Sequence, residues 1–130
     1  MFMSKFDGFE EIQAWQKAKS VTLRIYRLTE SGRFAKDFGL KDQIRRASVS
    51  IMANIAEGHG RKSNSEFANL VNLARGSAHE VQSHIHVAVG LGYLDRTEFE
   101  ELYILISEIS KMTLALARYL RNSQKNFVTS

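Results

Sequence analysis

Apolar residues recur along this chain at steps of three and four, the period of an α-helix buried along one side. Phe9, Ile12, Trp15, Ala18, Val21, Ile25 and Leu28 form the first such stripe, which stops near Ser31-Gly32. Leu40, Ile44, Ala47, Ile51 and Ile55 form the second, between Gly39 and Gly58. The third is Phe67, Leu70, Ala74, Ser77, Val81, Ile85 and Ala88, ending near Gly90-Leu-Gly92. It opens at Ser63-Asn-Ser-Glu66, the spacing of a capping box in which two side chains satisfy each other's free backbone amides. The fourth stripe, Leu102, Leu105, Ile109, Met112, Leu116 and Tyr119, has Asp95 or Thr97 as its cap.

The pattern predicts an all-α protein with helices over approximately 8–31, 38–58, 64–90 and 96–121. Proline is absent, and the intervening residues are mostly good helix formers. Short connections make consecutive helices antiparallel neighbours, so the expected architecture is an up-down four-helix bundle. Its 130 residues make one domain, 1–130, large enough for a core without metals or disulfides. The polar tail after Leu120 is expected to fray.

The second helix carries more apolar surface than one core contact needs. At about 100° per residue, Val49, Met52, Ala53 and Ala56 form a second face on the side away from the main stripe. A surface helix of a monomeric bundle requires one apolar stripe. The second face therefore predicts a homo-oligomer with this helix near the subunit boundary; exposed alanines that merely favour helix are the simpler alternative. Between the two faces runs a polar stripe of Gln43, Arg46, Ser50, Asn54 and Glu57, continued by Arg61, while Lys41 and Arg45 lie at the other edge. Asn54 and Glu57 beside apolar surface need partners. Arg46, Arg61, Arg75 and His79 are candidate donors, with Glu80 nearby, so a structural polar network of Asn54, Glu57, Arg75, His79 and Glu80 is expected.

Composition changes little in this picture. At 44% hydrophobic and 25% charged the chain is ordinary for a folded protein. Without cysteine it has no disulfide, thiol nucleophile or cysteine-based zinc site. The opening Met1-Phe-Met-Ser-Lys-Phe-Asp shows no signal-peptide pattern, and no apolar run is long enough to span a membrane, so a cytoplasmic protein is expected. Charge matters more. Residues 1–62 hold 12 Lys/Arg against 7 Asp/Glu, whereas residues 63–130 hold 6 against 7. The basic first half suits an anionic partner such as RNA or DNA.

Candidate chemistry is sparse. His84 and His86 point to nearly opposite sides of a helix, and His79 and His86 stand two turns apart, so no metal site is expected. Glu57, His59 and a serine lack the strand-turn-helix elbow of a hydrolase. Gly58-His-Gly60-Arg61-Lys62 could contact a phosphate at a helix start but lacks phosphate-loop spacing. A flexible basic loop is the simpler reading. No cofactor and no small-molecule substrate are predicted. Trp15, Phe9, Phe67 and Tyr119 sit on core stripes and do not interleave with cations as a stacking platform would.

The runs "FGLKDQIRRASVSIMANIAEGHGRKSNSEF" (38–67), "LARGSAHEVQ" (73–82) and "LGYL" (91–94) resemble bacterial four-helix bundle proteins related to 23S ribosomal RNA intervening-sequence proteins. Trp15, Ala18 and Ile25-Tyr26-x-Leu28-Thr29 extend the likeness to about residues 9–120. The resemblance implies an up-down four-helix bundle assembling as a ring-like homopentamer. It also implies a gene inside a 23S ribosomal RNA intervening sequence or elsewhere in a bacterial genome. A similar fold occurs in accessory variability proteins of diversity-generating retroelements, which bind nucleic acid and a reverse transcriptase. Such members often have proline at the position of Met52, where it would bend the helix.

The sequence thus predicts a non-enzymatic oligomeric bundle with a basic surface for nucleic acid. Arg45, Arg46, Arg61 and Lys62 are its first candidates, with Lys41 and Arg33 further out. The alternative is a protein-protein assembly or adaptor module that binds no nucleic acid.

Overall fold

The structure, a computed structural model, describes residues 7–129 and their side chains through Ser123. The reading of residues 1–6 as free of a signal pattern, and of the side chains past Ser123 as a polar tail, lies outside the described residues. Among those described there are helices and no strands: a 3-10 turn at Phe9–Glu11, then α1 (Gln13–Leu28), α2 (Gly32–Lys36), α3 (Phe38–His59), α4 (Asn64–Gly90) and α5 (Arg96–Thr129).

Local chemistry accounts for the boundaries. The first expected helix is interrupted because Ile12 is extended, at φ −76° and ψ 119°, before α1 begins. α1 stops at Thr29, whose buried hydroxyl donates to the carbonyls of Ile25 and Tyr26. Gly32 then takes φ +71°, where an L side chain is strained, and α2 follows with Phe34 buried beneath it. This short helix is absent from the expected plan. Asp37 caps α3 by accepting from the Leu40 amide at 3.1 Å. Ser63 accepts from the Glu66 amide at 3.1 Å, but the Glu66 carboxylate meets the Ser63 hydroxyl instead of its amide, so the expected capping box is half formed. The complete box is at α5: Asp95 accepts from the Glu98 amide at 2.7 Å and Glu98 from the Asp95 amide at 3.0 Å. α5 does not end near 121 but runs on to Thr129.

α4 lies between α3 and α5, and α1 packs against both α3 and α5, so the four long helices share one core. The expected stripes of α3 and α4 are buried along most of their length, joined by Ser48 and Gly58 on α3 and by Ala68, Val71 and Ala78 on α4. On α5 the expected stripe is rotated. Leu102, Ile106, Ile109, Thr113, Ala117 and Leu120 are buried, Leu105, Met112 and Leu116 lie at the edge, and Tyr119 is exposed. Thr113 is tolerated in the core because its hydroxyl donates to the Ile109 and Ser110 carbonyls.

Polar pairs tie the helices at defined heights. Thr22 of α1 reaches the Ser48 carbonyl of α3 at 3.1 Å, and Ser50 of α3 meets Ser77 of α4 at 2.8 Å. Between α4 and α5 the pairs are Asn69 with Arg121, His79 with Ser110 and Gln82 with Ser107, so one index rises as the other falls.

Candidate assembly and nucleic-acid surfaces on α3

α3 presents three strips. Ile44, Ile51 and Ile55 are fully buried. Among the described residues the second apolar face is only partly covered: Val49 is 41% exposed, Ala53 is exposed, and Met52, which packs against the core, and Ala56 are half-buried. The third strip is polar and borders α4. There Asn54 donates to the Ser50 carbonyl at 2.9 Å and to the Ser50 hydroxyl at 3.0 Å, and that hydroxyl also meets Ser77. These bonds satisfy the half-buried amide.

The expected polar network is therefore divided. Asn54 belongs to the two serines. Glu57 pairs with Arg61 one turn along α3's exposed end. His79 meets Ser110 on α5 at 3.1 Å. The Arg75 Nε is buried without a hydrogen-bond partner, and Glu80 is exposed. The structure brings Glu57 and Arg61 together and keeps Arg75, His79 and Glu80 apart from them.

The candidate cations also separate. Arg33 reaches over the α4–α5 turn, donating to the carbonyls of Leu91 at 3.1 Å and Gly92 at 3.3 Å, with its guanidinium 5.4 Å from the Tyr93 ring centroid. Arg45 donates to the Thr29 hydroxyl at 2.8 Å and the Tyr26 carbonyl at 3.3 Å and lies 4.2 Å from the Tyr26 ring centroid. Both guanidinium groups fasten one element to another. Arg46 remains outward, its side chain 77% exposed and, among the described residues, paired with Asp42 at 2.8 Å on the same helix. Such surface pairs contribute roughly 0.3–0.5 kcal/mol and exchange readily for a stronger anion. Arg61 is shared between Glu57 and, at 3.9 Å, Glu66. Lys62 is exposed and Lys41 half-buried.

Sequence reasoning missed the pairing of cations with rings. Lys19 over Trp15 and Arg96 over Phe99 stand at helical i,i+4 and i,i+3 spacings and could have been read from the sequence. Arg33 with Tyr93 and Arg45 with Tyr26 join different elements and could not. A clasp at the same end was missed too. The Tyr93 hydroxyl donates to Asp37 at 2.9 Å, and its ring stacks on Phe34 at 5.2 Å. The Asp37 hydrogen bond, then partial burial and the carboxylate charge, raise the Tyr93 pKa above 10.0, against the opposing pull of Arg33.

A cavity of about 530 Å³ opens between the start of α1 and α5, lined by Ile12, Ala14, Met112, Leu116 and Tyr119 among others. It is largely apolar and joins no cluster of titratable groups. Among the described residues no three His, Asp or Glu side chains converge as metal ligands, and no helix is long and apolar enough to cross a membrane.

These features define a class: an all-helical bundle whose third helix turns an apolar strip and a cationic edge outward. The chain belongs to the 23S rRNA-intervening sequence protein family, whose model matches residues 10–115. A solved structure from Bacteroides thetaiotaomicron VPI-5482, described as a protein with unknown function from the S23 ribosomal protein family, superposes with a TM-score of 0.73 at 26% identity. The match covers 80% of this chain and 97% of that one. No curated protein matches this chain.

Proposed function

We propose that this protein is a non-enzymatic, self-assembling bundle that presents a basic edge to RNA or another nucleic acid. The observation that carries the reading is the division of α3's outward surface. Val49 and Ala53 form an apolar strip, while Arg46 and the loop cations Arg61 and Lys62 lie along a separate edge. An apolar strip that the described residues leave exposed suits burial against another copy. Exposed cations engaged only by surface carboxylates suit phosphates. Arg33 and Arg45 take fastening roles in this reading, and Lys41 flanks the edge.

The opposed order of the Asn69–Arg121, His79–Ser110 and Gln82–Ser107 pairs supports an antiparallel α4–α5 pair and hence an up-down bundle. The family likeness favours a ring-like homopentamer working in the bacterial cytoplasm.

Light scattering of the purified chain and filter binding of RNA and DNA from low to high salt test the two halves together. The expected result is a multimer whose nucleic-acid binding falls steeply with salt and is lost in the Arg46→Glu, Lys62→Glu double variant. A multimer retaining neither RNA nor DNA at the lowest salt would replace this reading with a protein assembly or adaptor module.

A further inference from the structure

Charge is separated along α5. Its first half holds Glu98, Glu100, Glu101 and Glu108, and no Asp or Glu follows Glu108 in the chain, whereas Lys111, Arg118 and Arg121 all come after it. The nearly balanced charge of residues 63–130 conceals this separation. Lys111 and Arg118 are exposed, stand seven residues apart on one side of the helix, and form no ion pair among the described residues. Arg121 donates to the neutral amide oxygen of Asn69 on α4 at 2.8 Å, a bond that leaves its charge unanswered.

α4 adds a fourth cation. Arg75 shares its side of α4 with His79 and Gln82, which meet Ser110 and Ser107 of α5 at 3.1 Å and 2.9 Å. With His79 opposite Ser110 and Asn69 opposite Arg121, Arg75 stands at the height of Leu114, between Lys111 and Arg118. It is half-buried, its Nε is buried without a hydrogen-bond partner, and no carboxylate pairs with it among the described residues. Packing of the two helices holds its stem while its head keeps an uncompensated charge. Arg24, Arg46, Arg61 and Arg96 differ, each being paired with a carboxylate.

These cations make a row. From Lys111 to Arg121 is ten residues of helix, about 15 Å along the axis. A single inorganic phosphate would meet only part of such a row, whereas a nucleic-acid strand offers a phosphate at every nucleotide. Unpaired cations take phosphates without first giving up an ion pair, and a side chain already held by packing loses less freedom on binding.

We propose that a nucleic-acid strand runs along the α4–α5 seam with its phosphates on Lys111, Arg75 and Arg118, and that Arg121 continues the track. The site rests on the nucleic-acid half of the function proposed above and adds a contact surface separate from the α3 edge.

The test is filter binding of RNA and DNA across a salt series with the full chain and three variants. The first is Lys111→Glu with Arg118→Glu. The second, Arg27→Glu with Lys36→Glu, changes net charge equally at exposed cations away from the seam. The third is Arg75→Met, which keeps side-chain length and removes the buried unpaired nitrogen. Far-UV circular dichroism reports whether each keeps its helices. The seam pair is expected to bind less and to lower the slope of log affinity against log salt by about 1.5–2, two phosphate contacts' worth. The control pair should keep the wild-type slope. Arg75→Met should bind less at an undiminished urea midpoint, because a merely structural arginine would lower the midpoint and leave binding unchanged. A wild-type slope in the seam pair, or an equal loss in the control pair, would overturn the track while leaving nucleic-acid binding standing. A wild type that retains neither RNA nor DNA at the lowest salt would remove both.

Discussion

Gly58 closes the "NIAEG" run, and replacing it by alanine sets helix propensity against packing. Sequence pattern places this glycine at a helix end, where alanine would be harmless. In the structure α3 continues to His59, and Gly58 is buried where α3 approaches α4. A Cβ there would lie 2.7 Å from Phe67 Cδ1, 3.2 Å from Leu70 Cβ and 3.3 Å from Phe67 Cε1. Comfortable carbon contacts need about 3.5–4.0 Å, so the ring must retreat by about 1 Å. Phe67 is 1% exposed, and its ring also meets His59 edge-on at 6.1 Å, so it has little room to move. Overpacking of this kind costs roughly 1–3 kcal/mol. Alanine in a helix returns about 1 kcal/mol. The expected net for Gly58→Ala is a loss of about 1 kcal/mol, read as an earlier urea midpoint by circular dichroism with unchanged slope. Protein concentration must be held fixed, because association would shift the midpoint. Adding Phe67→Leu to Gly58→Ala should recover part of the loss, giving a coupling that two independent sites would lack. A Gly58→Ala chain more stable than wild type would refute the close approach of α3 and α4.

Other substitutions probe the far end of the bundle and the α1–α3 crossing. Gly92 has φ +75°, and a Cβ there would meet the Arg33 guanidinium at 2.9 Å, so Gly92→Ala should lower stability by roughly 1–2 kcal/mol in urea unfolding. Tyr93 titrates higher in the folded chain because it donates to Asp37, so the folded state holds this proton more firmly than the unfolded chain does. That stabilisation is fully present below the ordinary value of 10.0 and is lost as pH rises through the raised one, so wild type should lose stability faster than Tyr93→Phe in melts above about pH 10. Parallel curves for the two proteins would argue against the clasp. Thr22→Val removes the hydroxyl that bridges the Ala18 and Ser48 carbonyls, and should cost about 1 kcal/mol in thermal unfolding without changing helix content.

The sequence by itself determined where the long helices lie and which side of α1, α3 and α4 turns inward. Those signals are local: apolar steps of three and four, and caps such as Asp95 with Glu98, act within a few residues. It also exposed the surplus apolar face of α3, because Val49 and Ala53 fall on the wrong side of the helix for the core. Tertiary structure decided what depends on neighbours distant in the chain. α5 carries apolar residues over a band wider than one stripe, and its packing against α4 and α1 placed Ile106, Thr113 and Ala117 in the interior over Leu105, Met112 and Tyr119. Gly58 changed from a helix stop to a packing glycine because Phe67 crosses it from α4. The arginines show the same limit. Arg33, Arg45 and Arg46 look alike as sequence, yet two fasten elements together and one faces water. A guanidinium group takes whichever carbonyls or carboxylates the fold places within about 3 Å of it, and whichever ring lies within about 6 Å.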